Sequence, residues 1–437
     1  MNYRKQENPW TPEDEGDHYP VMKEWWTVET LFTTEEDGRK WNLLASFSYK
    51  LSTRSCFFQY VLFDITSKKC VSNSEEDNSL DKLHRTKNKI DLKYGSSFLT
   101  GTYPDYHVHI ENKEKDIIAD IEFDADSLPH WIAQDKTNGY LPIGLNNYRY
   151  GFLPNCKLSG TLNFKGVKYK INGTGYLEHA YGNWSYQNPF HKISGLKKTL
   201  SIYAKLGGWW LSQNKVRIPK RIGFSTENNI YGYDWIWGIF DNNWSLFFGN
   251  SMFWINEGPS FGALYLTQNG RDYLEFCNVR FRYNKLIYIE KYDFYYPSEI
   301  ELKAIFDKYT IKLRFWKTTE SYEYIDPYMD RGMFKAWILC EMPGKMKGNF
   351  TDGEKSIELS GNCKIVPLRI PSAYGHNEIK LEFIRPPQGV GINMNVDSHY
   401  FMKKINTKIH LAPRPSFKFK LEKIKKDDFK KNVTSKS

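Results

Sequence analysis

Residues 158–175, LSGTLNFKGVKYKINGTG, decide the fold. Apolar Val167, Tyr169 and Ile171 alternate with polar residues, and this period of two is typical of a strand with one buried face. The pair Lys165-Gly166 offers the positive φ angles that a two-residue hairpin loop needs. The segment therefore predicts an antiparallel β-hairpin.

A second copy of this pattern occurs at residues 346–363, MKGNFTDGEKSIELSGNC. Each copy has a glycine, a hairpin glycine five or six residues later, and a further glycine thirteen residues after the first. Any hairpin bounded by glycines could produce this likeness by coincidence, but we prefer a duplication. It predicts two related β-barrel or sandwich domains with a boundary between 186 and 230.

The rest of the chain supports an all-β protein of two domains. Its 437 residues exceed what one hydrophobic core organises, and its 14 Trp, 30 Tyr and 28 Phe suit sheets and large apolar cavities. This composition excludes disordered, collagenous and coiled-coil proteins. Alternating segments recur at 41–50, 309–315 and 379–383, and further turn pairs lie at Asp37-Gly38, Asn269-Gly270 and Asp352-Gly353.

Charge and targeting signals suggest a cytoplasmic protein. The net charge of +10 permits contact with anionic surfaces without requiring it. The first 20 residues lack the apolar core of a signal peptide, and no apolar run is long enough to span a membrane as a helix. Six scattered cysteines without a C-x-x-C pair fit neither a zinc site nor a disulfide framework.

Residues 186–226 differ from the remainder, with eight basic residues and no Asp or Glu. Apolar residues near helical spacing predict an amphipathic helix that Gly207-Gly208 could interrupt. It could pack across the two domains, or it could lie on an anionic membrane with Trp209 and Trp210. We expect the basic C-terminal segment 413–437 to be a solvated tail without activity.

The densest cluster of chemically active residues follows the first hairpin. Residues 172–184 place Glu178 and His179 among Tyr176, Tyr181 and Trp184. Adjacent residues point to opposite faces of a regular strand, so only a bulge or turn would bring Glu178 and His179 to one cavity. A carboxyl group in an aromatic wall suits general acid catalysis, because burial keeps it protonated near neutral pH; a structural Glu-His pair is the alternative.

Two further clusters carry aromatic and acidic residues together. Asp234 lies between Tyr233 and Trp235, where an acidic residue needs either a turn or a pocket to explain it. Near the amino end, Glu24 and Trp26 share one strand face and Trp25 lies on the other. Taken singly, such tryptophans are usually core residues.

Other chemistries have little support in the sequence. His107, His109 and Glu111 share one strand face as a metal site would require, but the alternate residues look like the buried set, so we expect no metal and no cofactor. Phosphate-binding loops and nucleophile elbows are missing from the sequence. Without an RNA-recognition signature, we expect no nucleic-acid partner.

The three clusters, in this order, resemble the lipocalin-like family that contains carotenoid 1,2-hydratase (hydroxyneurosporene synthase) and the AttH-like proteins. The family's opening E-W-W corresponds to Glu24, Trp25 and Trp26. Its central motif and its W-D-W-F correspond to residues 173–182 and 233–236. At three positions this sequence departs from the family: Glu178 replaces the usual Asp, and Tyr181 and Tyr233 each replace the usual Trp. These side chains differ in size from the usual ones, so their polar atoms extend to different distances.

This resemblance implies two lipocalin-like antiparallel β-barrel domains. We expect an extension over 1–20, the first domain over 21–190, the basic linker over 191–228, the second domain over 229–412 and the tail over 413–437. The resemblance further implies acid-catalysed hydration or cyclisation of a C=C bond in an isoprenoid-like or other hydrophobic small molecule. The implied catalytic residues are Glu178, His179 and Asp234, and the implied substrate-binding residues are Glu24, Trp25, Trp26, Tyr176, Tyr181, Trp184, Tyr233 and Trp235. A carrier or sensor of a hydrophobic ligand is the alternative.

Overall fold

The fold is almost entirely antiparallel β-sheet, which confirms the predicted class. The structure, a computed structural model, describes residues 10–184, 195–214, 221–225, 231–252, 257–292, 294–326, 336–371, 377–398 and 402–423. Within these ranges two large curled sheets form two lipocalin-like barrel domains.

The first domain is a 13-stranded sheet with the order β4-β3-β2-β1-β13-β12-β9-β8-β7-β6-β5, in which β10 and β11 pair with β12. Its strands are β1 Lys23–Thr34, β2 Lys40–Lys50, β3 Ser55–Asp64, β4 Lys69–Ser79, β5 Leu83–His84, β6 Ile90–Tyr94, β7 Ser97–Thr102, β8 Asp105–Asn112, β9 Ile117–Ala125, β10 His130–Trp131, β11 Tyr140–Ile143, β12 Asn146–Phe164 and β13 Val167–Asn183. The sheet curls around one apolar core, to which β1, β2, β8 and β9 contribute alternate residues.

The second domain is an 11-stranded sheet with the order β17-β20-β21-β22-β24-β25-β15-β16-β18-β19, in which β23 pairs with β24. Its strands are β15 Tyr231–Phe240, β16 Ser245–Met252, β17 Glu257–Pro259, β18 Ala263–Thr267, β19 Tyr273–Phe276, β20 Asn278–Ile289, β21 Phe294–Phe306, β22 Tyr309–Lys317, β23 Tyr322–Asp326, β24 Trp337–Thr351 and β25 Ser356–Ile370. It encloses a second apolar core of its own.

A third sheet of five strands is absent from the sequence-based prediction. It consists of β14 Arg221–Ser225, β26 Asn377–Ile384, β27 Val390–Ser398, β28 Lys403–Ala412 and β29 Ser416–Lys423. Strand β29 lies in the segment that we interpreted as a solvated tail, where Phe417, Phe419 and Leu421 alternate with lysines. Residues 424–437 lie outside the described residues, and the domain boundaries stay predictions.

The two predicted hairpins occupy equivalent positions in the two large sheets. Strands β12 and β13 form the first and β24 and β25 the second, and in each sheet the later strand also pairs with the first long strand, β1 or β15. Gly166 and Gly353 have φ angles of 76° and 95° in the hairpin loops, as the turn pairs predict. This equivalence supports the duplication.

In the described ranges, the helices are few and short apart from one that bridges the domains. They are α1 Pro12–Glu15, α2 Gln134–Thr137 and α3 Leu196–Gln213, with 3-10 helices at Leu80–Lys82 and Glu290–Tyr292. Helix α3 continues through Gly207-Gly208, so these glycines do not interrupt it. Tyr203 Oη donates to Gly144 O at 3.1 Å in the first domain, and Trp210 Nε1 donates to Ser260 O at 3.0 Å in the second.

The large domains also contact each other directly through an apolar cluster. Tyr150, Phe152 and Tyr176 of the first domain pack against Trp237 and Phe247 of the second. Trp237 Nε1 donates to Pro154 O of the first domain at 2.8 Å. This buried interface positions the facing walls of the cavity described next.

Candidate active site between the two domains

A cavity of about 420 Å³ lies between the outer face of β1, β2 and β3 and the second-domain strands β15, β23, β24 and β25. This volume suits a small organic molecule, since ligand cavities usually measure roughly 300 to 1,000 Å³. Much of its wall is aromatic: Trp25, Trp184, Tyr233, Trp235, Tyr324 and Trp337. Threonine and serine side chains of β1 and β2, including Thr27, Ser46 and Ser48, line another part.

Strand alternation decides which of the predicted residues reach this cavity. Trp25 and Glu178 line it. Strands β1 and β13 pair in regular register through Thr27 and Glu178, without a bulge. His179 therefore points the opposite way, into the first barrel, and the expectation that a bulge brings Glu178 and His179 together is wrong.

The glycines that suggested a bulge have a different role. A Cβ on Gly175 would lie 1.9 Å from the ring of Phe123, so only glycine leaves room for this ring. The register shift of this hairpin lies instead in β12, between Leu153 and Cys156.

Glu178 lies in a cage of hydrogen-bond donors. Trp25 Nε1 donates to its Oε1 at 2.9 Å, while Tyr176 Oη and Trp235 Nε1 donate to its Oε2 at 2.9 and 3.1 Å. Tyr150 Oη also donates to Oε2. The cage brings residues of both domains to one carboxyl group, which is 8% exposed and opens onto the cavity.

Two opposing effects act on the protonation of Glu178. Burial raises the pKa of this carboxyl above its ordinary value, and the four donors oppose the rise. When Glu178 is ionised, its two oxygens have enough lone pairs to accept all four hydrogen bonds. The result is a carboxylate of increased basicity, a suitable group for proton transfer.

The aromatic wall also contacts an amine. The ammonium group of Lys23 lies 5.4, 5.6 and 5.9 Å from the ring centroids of Trp25, Trp184 and Trp337. Burial and the neighbouring Lys50 lower the pKa of Lys23 to about 7. A positive charge that develops on a bound molecule would meet the same ring faces.

Glu24, Trp26, His179 and Tyr181 do not line the cavity, because they face the interior of the first barrel. Glu24 Oε1 lies 2.8 Å from both His179 Nε2 and His18 Nδ1. Tyr49 Oη donates to Glu24 Oε2 at 2.9 Å. Burial opposes ionisation of Glu24, but hydrogen bonds from the two histidines outweigh it and lower the pKa to about 2.

This barrel cluster also has the composition of a metal site. The ligand atoms of His18, Glu24 and His179 lie within 4.8 Å of one another. His179 Nδ1 already bonds to the Asp14 carbonyl at 2.8 Å, and both histidines reach Glu24 at hydrogen-bond distance. We therefore assign the cluster to hydrogen bonding within the barrel.

Asp234 likewise faces the interior of its own barrel. Arg369 Nη2 donates to Asp234 Oδ1 at 2.7 Å, and Tyr283 Oη donates to Oδ2. Asp234 and Arg369 are each 1% exposed. Its neighbours Tyr233 and Trp235 lie on the other strand face and line the cavity.

The two histidines and the glutamate that the sequence suggested as metal ligands, His107, His109 and Glu111, lie away from the cavity. His107 Nε2 bonds to Asp120 on the strand surface, and His109 Nδ1 lies 3.7 Å from the same carboxylate. Glu111 lies 3.6 Å from Lys113 Nζ. Each is therefore matched by a surface partner.

The charged cavity residues that sequence reasoning missed include Glu29 and Glu341, and the fully buried Lys364 lies between these two. Glu29 could have been found, because it follows Trp25 and Thr27 on the same face of one alternating strand. Lys364 and Glu341 come from β25 and β24, and only tertiary structure brings them to Glu29. Tyr150 was missed for the same reason.

Fold and cavity together define a two-domain lipocalin-like protein with a buried carboxyl group between its domains. Its fold is similar to that of an AttH-like protein from Nitrosomonas europaea, at 15% identity and a TM-score of 0.54, over 84% of this chain and 98% of that one. It is also similar to kievitone hydratase from Nectria haematococca, at 13% identity and a TM-score of 0.51, over 82% and 98% of the chains. At these identities the likeness shows the fold. No protein-family model and no curated protein matches the chain.

Proposed function

We propose that the protein hydrates or cyclises a C=C bond of a hydrophobic small molecule in the cavity between its domains, with Glu178 as a proton-transfer group. The observation that carries this proposal is the buried Glu178 carboxyl, held by donors from both domains and open to an aromatic cavity. An isoprenoid-like alkene is the substrate class that this wall fits best. Carotenoids are one class of such molecules.

The chemistry needs a proton and a stabilised cation. Protonation of a branched alkene carbon gives a tertiary carbocation, which water or an internal nucleophile then captures. Ring faces such as Trp25 and Trp235 would stabilise it by about 0.5 to 2 kcal/mol each, and the Glu178 carboxylate adds electrostatic stabilisation. The name kievitone hydratase describes a hydratase with the same fold, which supports the choice of reaction.

Of the three predicted catalytic residues, only Glu178 lines this cavity. Within the barrels, His179 is hydrogen-bonded to Glu24 and Asp234 is paired with Arg369. We therefore assign proton transfer to Glu178 and positioning of the surrounding strands to the other two.

A carrier or sensor of a hydrophobic ligand would use the same cavity without converting its contents. Extraction of the purified protein, followed by mass spectrometry, identifies any lipid that it retains. Incubation with farnesol, geranylgeraniol and a prenylated phenol in ¹⁸O-labelled water then tests for reaction. We expect an isotopically labelled alcohol or a cyclised isomer from at least one probe; retention of every probe unchanged would support the carrier.

We further propose a peripheral contact of helix α3 with anionic membranes. Leu200, Tyr203 and Leu211 are 55%, 45% and 56% exposed on one side of the helix, and Lys197 and Lys205 of the same helix are also exposed. Trp209 and Trp210 instead pack toward the domains. No helix among the described residues is long and apolar enough to cross a membrane.

A further inference from the structure

A second carboxyl site faces the same cavity. Glu29 of the first domain and Glu341 of the second both line it, and each is 1% exposed. Lys364, fully buried on β25, lies between them, with Nζ 3.4 Å from Glu29 and 3.2 Å from Glu341. Asn42 fixes the arrangement, since it accepts from Lys364 at 2.9 Å and donates to Glu29 at 3.1 Å.

The charges of this triad do not balance. Two carboxylates and one ammonium group leave a net charge of −1 in a buried site, whereas one bound proton makes the triad neutral. A buried uncompensated charge costs several kcal/mol, so the triad favours holding that proton. In agreement, burial and Glu341 raise the pKa of Glu29 to about 8 although Lys364 opposes the rise, and burial also raises the pKa of Glu341.

Two carboxyls of the triad line the same cavity as Glu178. Glu178 is paired with Thr27, and Glu29 follows Thr27 by two residues on the same strand face. Diagonal positions of this kind lie about 7 to 8 Å apart on an antiparallel sheet. Both carboxyl groups can therefore face one bound molecule, as the acid and the base do in enzymes that activate water.

We propose that Glu29 and Glu341 share one proton and form the acid of the cavity, while Glu178 is the base. This assignment rests on the proposed function. The shared proton is transferred to one alkene carbon as the C=C π bond breaks and a C–H bond forms. Water then forms a C–O bond to the cation and releases a proton to Glu178. Return of that proton to the pair through solvent restores the starting state.

Two amide variants test the shared proton without any substrate. In Glu29→Gln or Glu341→Gln, one carboxylate remains beside one ammonium group, so the triad is already neutral and the remaining carboxyl stays ionised. Infrared difference spectra near neutral pH should therefore show one protonated carboxyl that the wild type has and either variant lacks. Glu178→Gln is the matched control and should keep that band. A wild-type spectrum identical to those of both triad variants would overturn the shared proton.

Measurements of turnover distinguish a failure of this inference from a failure of the proposed function. On a probe that the wild type converts, each triad variant should lose roughly 100-fold or more in rate, the usual contribution of a general acid. Deuterium from heavy water should appear at the protonated carbon of the product. Unchanged turnover in both variants would remove the acid role and leave the proposed function intact. Failure of the wild type on every probe would count against the proposed function, while the infrared result would still decide the shared proton.

Discussion

The carboxyl groups of Glu24 and Asp234, inside the barrels, differ from those facing the cavity in the side chains that bind them. Glu24 on β1 and Asp234 on β15 occupy the first long strand of their sheets, and each meets a basic side chain from the paired strand, His179 or Arg369. Each also accepts from a tyrosine hydroxyl. In the cavity, Glu178 has only neutral donors, and two further carboxyls share Lys364.

This difference separates structural from reactive carboxyls. Hydrogen bonds from two histidines hold the pKa of Glu24 at about 2, so this acid stays ionised and binds the paired strands together. A cavity carboxyl whose negative charge is not fully balanced by a cation has a raised pKa. It can therefore exchange a proton with a bound molecule. The comparison yields predictions of decreasing size.

The largest expected loss of stability follows from Arg369→Met. The substitution leaves Asp234 buried without its cation, which typically costs about 3 to 5 kcal/mol. Urea unfolding measures the change. The double variant with Asp234→Asn should recover part of the loss, because it removes the unmatched charge; a double variant as unstable as the single one would show that Arg369 acts through packing alone.

The second prediction concerns the pH dependence of Glu24. Because its pKa falls from 4.5 to about 2 on folding, the ionised group contributes stability above pH 4.5 that is lost as the pH falls toward 2. The size is about 3 kcal/mol at 1.36 kcal/mol per unit. The difference in unfolding free energy between wild type and Glu24→Gln should shrink over this acid range. A difference independent of pH would contradict the paired state.

Glu29 should show the opposite slope. Its pKa is raised to about 8 on folding, so its contribution to stability is complete below pH 4.5 and is lost as the pH rises through 8. Glu29→Gln should therefore gain stability relative to the wild type as the pH rises across this range. Unfolding in buffers on both sides of neutrality measures it, and a parallel pair of curves would argue against proton uptake at the triad.

The smallest effect is expected at the surface of helix α3. Co-sedimentation with vesicles of phosphatidylcholine and phosphatidylserine should be weak and should fall as salt is raised, with roughly 1 kcal/mol from each basic residue near the surface. Leu200→Ser with Leu211→Ser should reduce it. Leu286→Ser, at an exposed leucine of the second domain, is the control and should bind as the wild type does. No binding at low salt would remove the membrane proposal.

The sequence predicts local features well and tertiary assembly poorly. Alternation and turn pairs are local, so the hairpins at Gly166 and Gly353 and the β class could be read directly. Alternation also separates Glu178 from His179, yet the expectation of a bulge placed them together. The triad could not be predicted, because Glu29, Glu341 and Lys364 are distant in the chain and meet only when the domains pack. The apolar residues of β29 alternate with lysines, and the many lysines of this segment led to its interpretation as a solvated tail.

The central claim is that the reactive carboxyl lies between the barrels. Glu24 and Glu178 are both buried glutamates on the paired strands β1 and β13, on opposite faces of one sheet. Turnover of a converted prenyl probe, measured per folded molecule, should fall roughly 100-fold or more in Glu178→Gln and stay near the wild-type rate in Glu24→Gln. Loss of turnover in Glu24→Gln with full activity in Glu178→Gln would contradict the account.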